Sequence, residues 1–456
     1  MRFWRMEHLA EVVGGRWLTG PVDADLAVSG ISIDSRQIKP GECYVAIRGE
    51  RHDGHDFVTS AHSAGAMLGI VERDISGSAS KGGLGLPLIQ VSDTVQALQC
   101  LARSYRDYIR KWDCRVIAVT GSNGKTTTRH MIYHLLSSRF RGVQSPRSFN
   151  NHIGVPLTLL SVRDRDEFVI VELGSNHPGE ISHLASIVRP AVGVITSIGQ
   201  AHIGYFGDLK SIASEKSSLL EYIEPGGLGV IPVRSAWPAD CELPVRSDIN
   251  YVSFEVDMDL ASCLPVPGVH NASNASAAAV VSRHYGISVQ AIRESISVIT
   301  LPPGRLEVHE CGGGVTILND AYNANPDSVH AALDVLMSWR GQPSRRVAVL
   351  GDMLELGQWS ADLHRGVGER LVSGKLKPEL VILIGAIASH IAEPIMSCGG
   401  DIELHVLGQW SQAVPGRVAG LLRRGDVVLL KASRAMALER LIPVIRDQFA
   451  GGDIMN

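Results

Sequence analysis

Arg115–Thr120 (RVIAVT) reads as a buried strand that runs straight into Gly121-Ser122-Asn123-Gly124-Lys125-Thr126-Thr127, and a helix-like stretch from Lys125 to Ser138 follows. This order constrains the chain more than any other feature, because a glycine loop cradles phosphate only between a strand and a helix start. There the glycines let several backbone N–H groups converge on one anion, and the helix N-terminus adds partial positive charge. Thr120 to Thr127 are therefore candidate nucleotide contacts. Lys125 is placed to reach the β- and γ-phosphates, and the Thr126 hydroxyl to take a Mg²⁺ position. The general pattern wants a further glycine where Val119 stands, so this is the shorter G-x-x-G-K-T form. A glycine turn followed by a surface lysine is the competing reading.

The surroundings repeat the alternation of strand and helix. Apolar runs at Phe168–Leu173, Val192–Ile198 and Gly229–Val233 are followed by a second series at Val315–Leu318, Arg346–Leu350, Leu380–Ile384 and Val427–Leu430. Helix-compatible segments between them imply mainly parallel sheets covered on both faces. Upstream lie short β-like runs at Cys43–Ile47 and Leu88–Val91, and apolar residues at near-helical spacing predict a helix over 94–111. Pro302-Pro303-Gly304 is a hinge candidate, while Gly82-Gly83, Gly226-Gly227 and Gly312–Gly314 read as turns or loops.

A chain of 456 residues is too long for one ordinary core. The expected fold class is α/β in three domains. A small N-terminal α/β domain covers 1–112, a central P-loop domain with a mainly parallel sheet covers 113–312, and a C-terminal Rossmann-like domain covers 313–456.

A formal net charge of -4 gives no sign of the broad basic surface that sequence-independent nucleic-acid binding needs. The 7 cysteines are scattered and form no C-x-x-C pair, which fits a reducing cytosol better than a disulfide framework or zinc site. Glu7, His8 and Glu11 interrupt any signal-peptide core, and no apolar run approaches the roughly 20 residues a membrane span requires. The expectation is a soluble cytoplasmic protein, acting as a monomer.

Two further residues stand just past strand ends, where parallel sheets place their ligands. Glu172 closes the Phe168–Leu173 run, and His202 follows Val192–Ile198 within a glycine-flanked turn. Each alone has an ordinary structural explanation; together a carboxylate and an imidazole could hold a second Mg²⁺. Lys216, in Ile212–Ser217, reads from the residues alone as a solvated helix charge.

The motifs resemble those of the Mur ligases, ATP-dependent enzymes that add amino acids to a peptidoglycan precursor. The loop from Gly121 to Thr126 looks like the family's ATP loop, and Asn150-Asn151-His152-Ile153-Gly154-Val155-Pro156 like its substrate-side segment. His270-Asn271-Ala272-Ser273-Asn274 is similar to a helix start near the adenine, and Pro303-Gly304-Arg305 to the hinge that sets an arginine against the nucleotide. Asp320-Ala321-Tyr322-Asn323-Ala324-Asn325-Pro326, Gly351-Asp352-Met353-Leu354-Glu355-Leu356-Gly357 and Lys431-Ala432-Ser433-Arg434 resemble the branch that adds D-alanyl-D-alanine. Ala432 departs from that pattern, where glycine is usual. Ile33-Asp34-Ser35-Arg36 resembles the branch's uridine-nucleotide domain.

By this resemblance the chain uses ATP and Mg²⁺ to join D-alanyl-D-alanine to a UDP-N-acetylmuramoyl-tripeptide. Lys125, Glu172, His202 and Lys216 are the expected catalytic residues, with Thr126, Glu172, His202 and a carbamylated Lys216 on the metal. Asn271, Asn274, Arg305 and Asp320 join the phosphate loop in holding the nucleotide, Asp320 on the ribose or orienting Arg305. Asp34, Ser35, Arg36, Asn150, Asn151, Tyr322, Asn323, Asn325, Pro326, Ser433 and Arg434 are the expected substrate contacts. Another ligase of the superfamily, such as a different Mur ligase or a folylpolyglutamate synthetase, stays open as an alternative, as does a P-loop ATPase that makes no covalent product.

Overall fold

The computed structural model describes residues 2–20, 23, 25–75, 85–146, 148–239, 241, 243–339, 341, 343–375, 377–398 and 402–450. The expected turn at Gly82-Gly83 lies outside the described residues. Three sheets organise the chain, in an α/β fold of three domains as expected.

The first sheet has the order Arg16–Thr19, Leu88–Gln90, Leu68–Val71, Cys43–Val45, Ile31–Ser32, with only the first pair antiparallel. The second runs Asn250–Phe254, Leu228–Pro232, Val192–Ile195, Arg115–Thr120, Phe168–Glu172, Gly142–Gln144, all parallel. The third runs Glu307–Glu310, Thr316–Asn319, Asp426–Lys431, Arg345–Gly351, Leu380–Ile384, Glu403–Val406, parallel except for the leading hairpin.

Strand periodicity explains the layers. In Arg115–Thr120, Val116 and Ala118 enter one apolar core while Ile117 and Val119 enter another on the opposite face. Ala348 and Leu350 alternate with Val347 and Val349 in the same way in the third sheet. Such strands need apolar residues at every position because helices cover both faces.

The joints between domains differ in kind. Helix Thr94–Ile109 places Leu98, Leu101, Ala102 and Tyr105 in one continuous core with Phe3, Trp4 and Met6 of the first domain and Val155, Leu159, Ile181 and Leu184 of the second. The Tyr105 hydroxyl donates to the Val162 carbonyl at 2.8 Å and Arg106 Nε to the Val188 carbonyl at 2.9 Å. Contact with the third domain includes polar pairs at the site, Asn123 with Asn325 and His202 with Glu355. Ile203, Phe206 and Ile212 also enter the third domain's core beside Met353 and Leu356. Gly204 meets Gly357 so closely that a Cβ on Gly204 would lie 2.5 Å from the Gly357 nitrogen.

One boundary needs correcting. The hairpin of Glu307–Glu310 with Thr316–Asn319 belongs to the third sheet, so a cut at 312/313 would split it. The passage between domains lies nearer Pro302-Pro303-Gly304. Glu307 and His309 are only partly buried and alternate with exposed neighbours, so this edge strand carries no apolar run by which a sequence reading could detect it.

Candidate active site

Because their strands are parallel, the loops after Arg115–Thr120, Phe168–Glu172 and Val192–Ile195 leave one edge of the central sheet together. The glycine loop fits there by losing side chains. A Cβ on Gly121 would lie 2.1 Å from Thr196 Oγ1, and one on Gly124 2.2 Å from Asn274 Oδ1. Both glycines have positive φ, +142° and +80°, which other residues rarely adopt. Thr120 Oγ1 donates to the Leu173 carbonyl at 2.9 Å, anchoring the loop to the neighbouring strand, and Thr127 is buried in the helix's first turn.

Lys125 Nζ curls back to donate to the Gly121 and Ser122 carbonyls at 2.6 and 3.2 Å. Desolvation pulls this amine down to about 8, against an attraction from Glu172 that works the other way. Glu172 is 1% exposed and accepts from Thr126 Oγ1 at 3.0 and 3.2 Å and from Asn150 Nδ2 at 3.1 Å. Arg129 Nε stands 3.4 Å from the same carboxylate. A hydroxyl and a carboxylate converging at a phosphate loop are the hard oxygen ligands Mg²⁺ takes, so Thr126 and Glu172 fit that ion.

The other two expected metal ligands have different partners. His202 Nδ1 lies 2.7 Å from Glu355 Oε2 of the third domain, and Lys216 Nζ donates to Ser175 Oγ at 2.5 Å. His202 and Glu355 both sit in left-handed backbone, at φ +59° and +65°. The pairing with His202 holds the Glu355 carboxyl below its usual range. Lys216 is 1% exposed, which overturns the reading of a solvated helix charge, and burial followed by repulsion from Lys125 draws its amine down to about 7. Among the described residues no three His, Cys, Asp or Glu side chains gather into a metal cluster.

The third domain closes the site. Arg305 Nη2 donates to Thr126 Oγ1 at 3.1 Å, and its guanidinium carbon lies 4.2 Å from the Tyr322 ring centroid. Asp320 Oδ1 accepts from the Leu306 N–H at 3.1 Å and Oδ2 pairs with Lys431 Nζ at 2.6 Å, so it fixes the backbone next to Arg305. Lys431 also donates to the Asn323 carbonyl at 2.9 Å. Asn325 Nδ2 donates to Asn123 Oδ1 at 2.7 Å, joining the expected acceptor segment to the phosphate loop.

A cavity of about 710 Å³ lies between these parts. Its walls include Lys125, Thr126, Asn150, Asn151, Glu172 and His202 from the second domain and Arg305, Tyr322, Asn323, Asn325 and Lys431 from the third. Several expected contacts stand outside its walls. Asn274 lies behind the loop, accepting from Thr128 Oγ1 at 3.1 Å, and Asn271 Nδ2 donates to the Pro267 carbonyl at 2.7 Å. Pro326 is buried at the start of helix Pro326–Met337. Ser433 Oγ accepts from the Leu354 N–H at 2.8 Å, and Arg434 pairs with Glu439 at 2.5 Å. The Ala432 methyl is fully buried against Gly351, where a Cβ would lie 2.7 Å away. Asp34, Ser35 and Arg36 follow the edge strand of the first sheet, with Arg36 holding the Asp34 carboxyl down to about 2. Ser175, His177, Glu180 and Lys431 line the cavity without having been expected there. No local pattern marks the first three; Lys431 stood within a quoted motif.

Three family profiles cover most of this architecture. They are described as Mur ligase family, catalytic domain (residues 27–106), Mur ligase middle domain (119–242) and Mur ligase, glutamate ligase domain (304–434). A UDP-N-acetylmuramoyl-tripeptide–D-alanyl-D-alanine ligase of Bacillus subtilis (strain 168) is 30% identical, over 96% of this chain and 97% of that protein. The chain belongs to the Mur ligase family. A Synechocystis relative of the same name is 33% identical over 92% of each chain. Among solved Mur ligases, the crystal structure of MurF from Acinetobacter baumannii superposes with a TM-score of 0.81 at 28% identity, covering 97% of this chain and 99% of that one. MurF from Thermotoga maritima in complex with ADP gives a TM-score of 0.74 at 26% identity, covering 92% and 97%. No helix among the described residues of this Mur ligase is long and apolar enough to cross a membrane.

Proposed function

We propose that this Mur ligase joins D-alanyl-D-alanine to UDP-N-acetylmuramoyl-tripeptide, with ATP cleaved to ADP and phosphate. One observation carries the reading: the phosphate loop with Lys125 and the segment Tyr322–Asn325 face each other across one cavity, within a chain matched end to end by ligases of that name.

A carboxylate resists attack by an amine, so the reaction needs a better leaving group. Transfer of the γ-phosphoryl group to the tripeptide carboxylate supplies one as an acyl phosphate. Lys125 and Arg305 stand at the loop end, where they stabilise charge on the transferring group. Thr126 and Glu172 would hold Mg²⁺, which would supply electrostatic shielding between the two anions. The neutral amine of D-alanyl-D-alanine then attacks the acyl carbon, and the tetrahedral intermediate expels phosphate. Tyr322, Asn323 and Asn325 position this acceptor, while Asn150 and Asn151 face the tripeptide side. Asp34, Ser35 and Arg36 hold the uridine nucleotide. Burial draws the Lys216 amine down toward the neutral form that reaction with CO₂ requires, and its carbamate would join His202 in holding a second Mg²⁺.

The enzyme works in the cytoplasm as a monomer, a placement consistent with 7 scattered cysteines that form no C-x-x-C pair. The test is ADP release and peptide product measured with each substrate omitted in turn. Both the UDP-tripeptide and D-alanyl-D-alanine must be required; equal turnover with L-lysine or diaminopimelate as acceptor refutes the assignment.

A further inference from the structure

Helix Pro326–Met337 starts against the phosphate loop, and its first turn carries a carboxylate to which the ligase reading gives no part. Asp327 Oδ2 accepts from the Gln200 N–H at 2.7 Å. The same oxygen would lie 2.3 Å from a Cβ on Gly199, so the carboxylate rests directly on that glycine. Gly199 is in turn locked to the phosphate loop: its N–H donates to Ser122 Oγ at 2.9 Å, and that hydroxyl donates to the Gly199 carbonyl at 3.0 Å.

A second connection runs alongside. Asn325 Oδ1 accepts from the Ser328 N–H at 2.9 Å, capping the helix, while Asn325 Nδ2 donates to Asn123 Oδ1 at 2.7 Å. Thus the two residues flanking Pro326 grip consecutive residues of the phosphate loop, Asn325 directly and Asp327 through Gly199. The segment Tyr322–Asn325 leads into this helix turn, so its distance from the loop is set by the grip. The carboxylate also sits at a helix N-terminus, where partial positive charge favours it.

We propose that Asp327 is a positioning residue for ligation, a clamp that holds the acceptor segment against the phosphate loop and thereby keeps water from the acyl phosphate. The proposal rests on the ligase reading above. With the clamp loosened, a water oxygen attacks the acyl carbon, the bond from that carbon to the phosphate oxygen breaks, phosphate departs, and the carboxylate is regenerated with release of a proton. The net reaction is then ATP and water to ADP and phosphate, with the tripeptide unchanged. A displaced acceptor also reacts more slowly, since small misplacements in such sites cost large factors in rate.

The experiment measures phosphate released per ligated product in the full-length enzyme supplied with ATP, Mg²⁺, UDP-tripeptide and D-alanyl-D-alanine. Wild type gives a ratio near one. Asp327→Ala raises the ratio to about three or more and lowers ligation about tenfold, with KM for the UDP-tripeptide unchanged within about twofold. Gly199→Ala opens the same contact from the other side and raises the ratio likewise, which keeps the test decisive if Asp327→Ala melts early. Asp327→Asn, whose amide oxygen still accepts from Gln200, stays near one. A ratio near one in both Asp327→Ala and Gly199→Ala, with ligation slowed or not, overturns the clamp. Absence of ligated product in wild type overturns the ligase reading itself, and the clamp with it.

Discussion

Arg305 and Thr126 belong to different domains, yet the guanidinium of one donates to the hydroxyl of the other at 3.1 Å. The same guanidinium lies over Tyr322. A planar fork can serve both contacts at once, whereas an ammonium is a point charge on a flexible stem.

Arg305→Lys therefore keeps the charge and loses the geometry. Ligation should slow by about 100- to 1000-fold, the range for losing one donor aimed at developing charge. The melting temperature should stay within about 2 °C. Steady-state ADP release and calorimetry check both, and near-normal turnover would show that the stacked fork is dispensable.

Lys125→Ala removes a cation that desolvation already penalises. Turnover should fall by about a thousandfold or more, as for other phosphoryl clamps. The melting temperature of the nucleotide-free protein should not fall, because the variant no longer keeps a desolvated amine at the loop. A drop of several degrees would mean that Lys125 is chiefly structural.

Lys216 gives a pH signature whose sign can be worked out. Its folded-state amine is drawn down to about 7, whereas in the unfolded chain it titrates near 10.4. Between these values the unfolded state binds the extra proton, so stability rises with pH across that window and is flat below it. In CO₂-free buffer, wild type should gain melting temperature over Lys216→Met as pH goes from about 7 to 9. A constant difference would place the amine in water. Lys216→Ala should lose most ligation and regain part of it with added acetate, a carboxylate replacing the carbamate.

Tyr105→Phe tests the joint between the first two domains. It removes the shorter of two bonds to the Val162 carbonyl, which keeps Arg163 Nη1 at 3.3 Å, at a cost of about 0.5–1.5 kcal/mol by denaturant titration. No loss would mean that the hydroxyl is replaceable there by water.

Strands buried on both faces were legible because each position must be apolar, and Arg115–Thr120 and Leu380–Ile384 begin and end where the sequence places them. Edge strands were not. Glu307–Glu310, Asn250–Phe254 and Glu403–Val406 each show residues to solvent, so their sequences lack the apolar run that marks an interior strand. The strand from Val192 ends at Ile195, short of Ile198, for another reason: beyond it Thr196 and Ser197 back the phosphate loop, with both hydroxyls on the Asn123 carbonyl. In the site, Lys125, Thr126 and Glu172 follow from strand–loop–helix logic. Asp327 and Glu355 do not, because what they touch depends on how one domain docks on another, and no local spacing encodes that.

The apolar core shared by the first two domains has a thermal consequence. Helix Thr94–Ile109 cannot leave either sheet without baring Leu98, Leu101 and Tyr105, so neither sheet can melt while the other stays folded. The third domain owns most of its core and borrows only Ile203, Phe206 and Ile212. Heated in a calorimeter, the chain should absorb heat in two cooperative steps rather than three. A bound nucleotide, bridged by Arg305 and the phosphate loop, should draw those two peaks together.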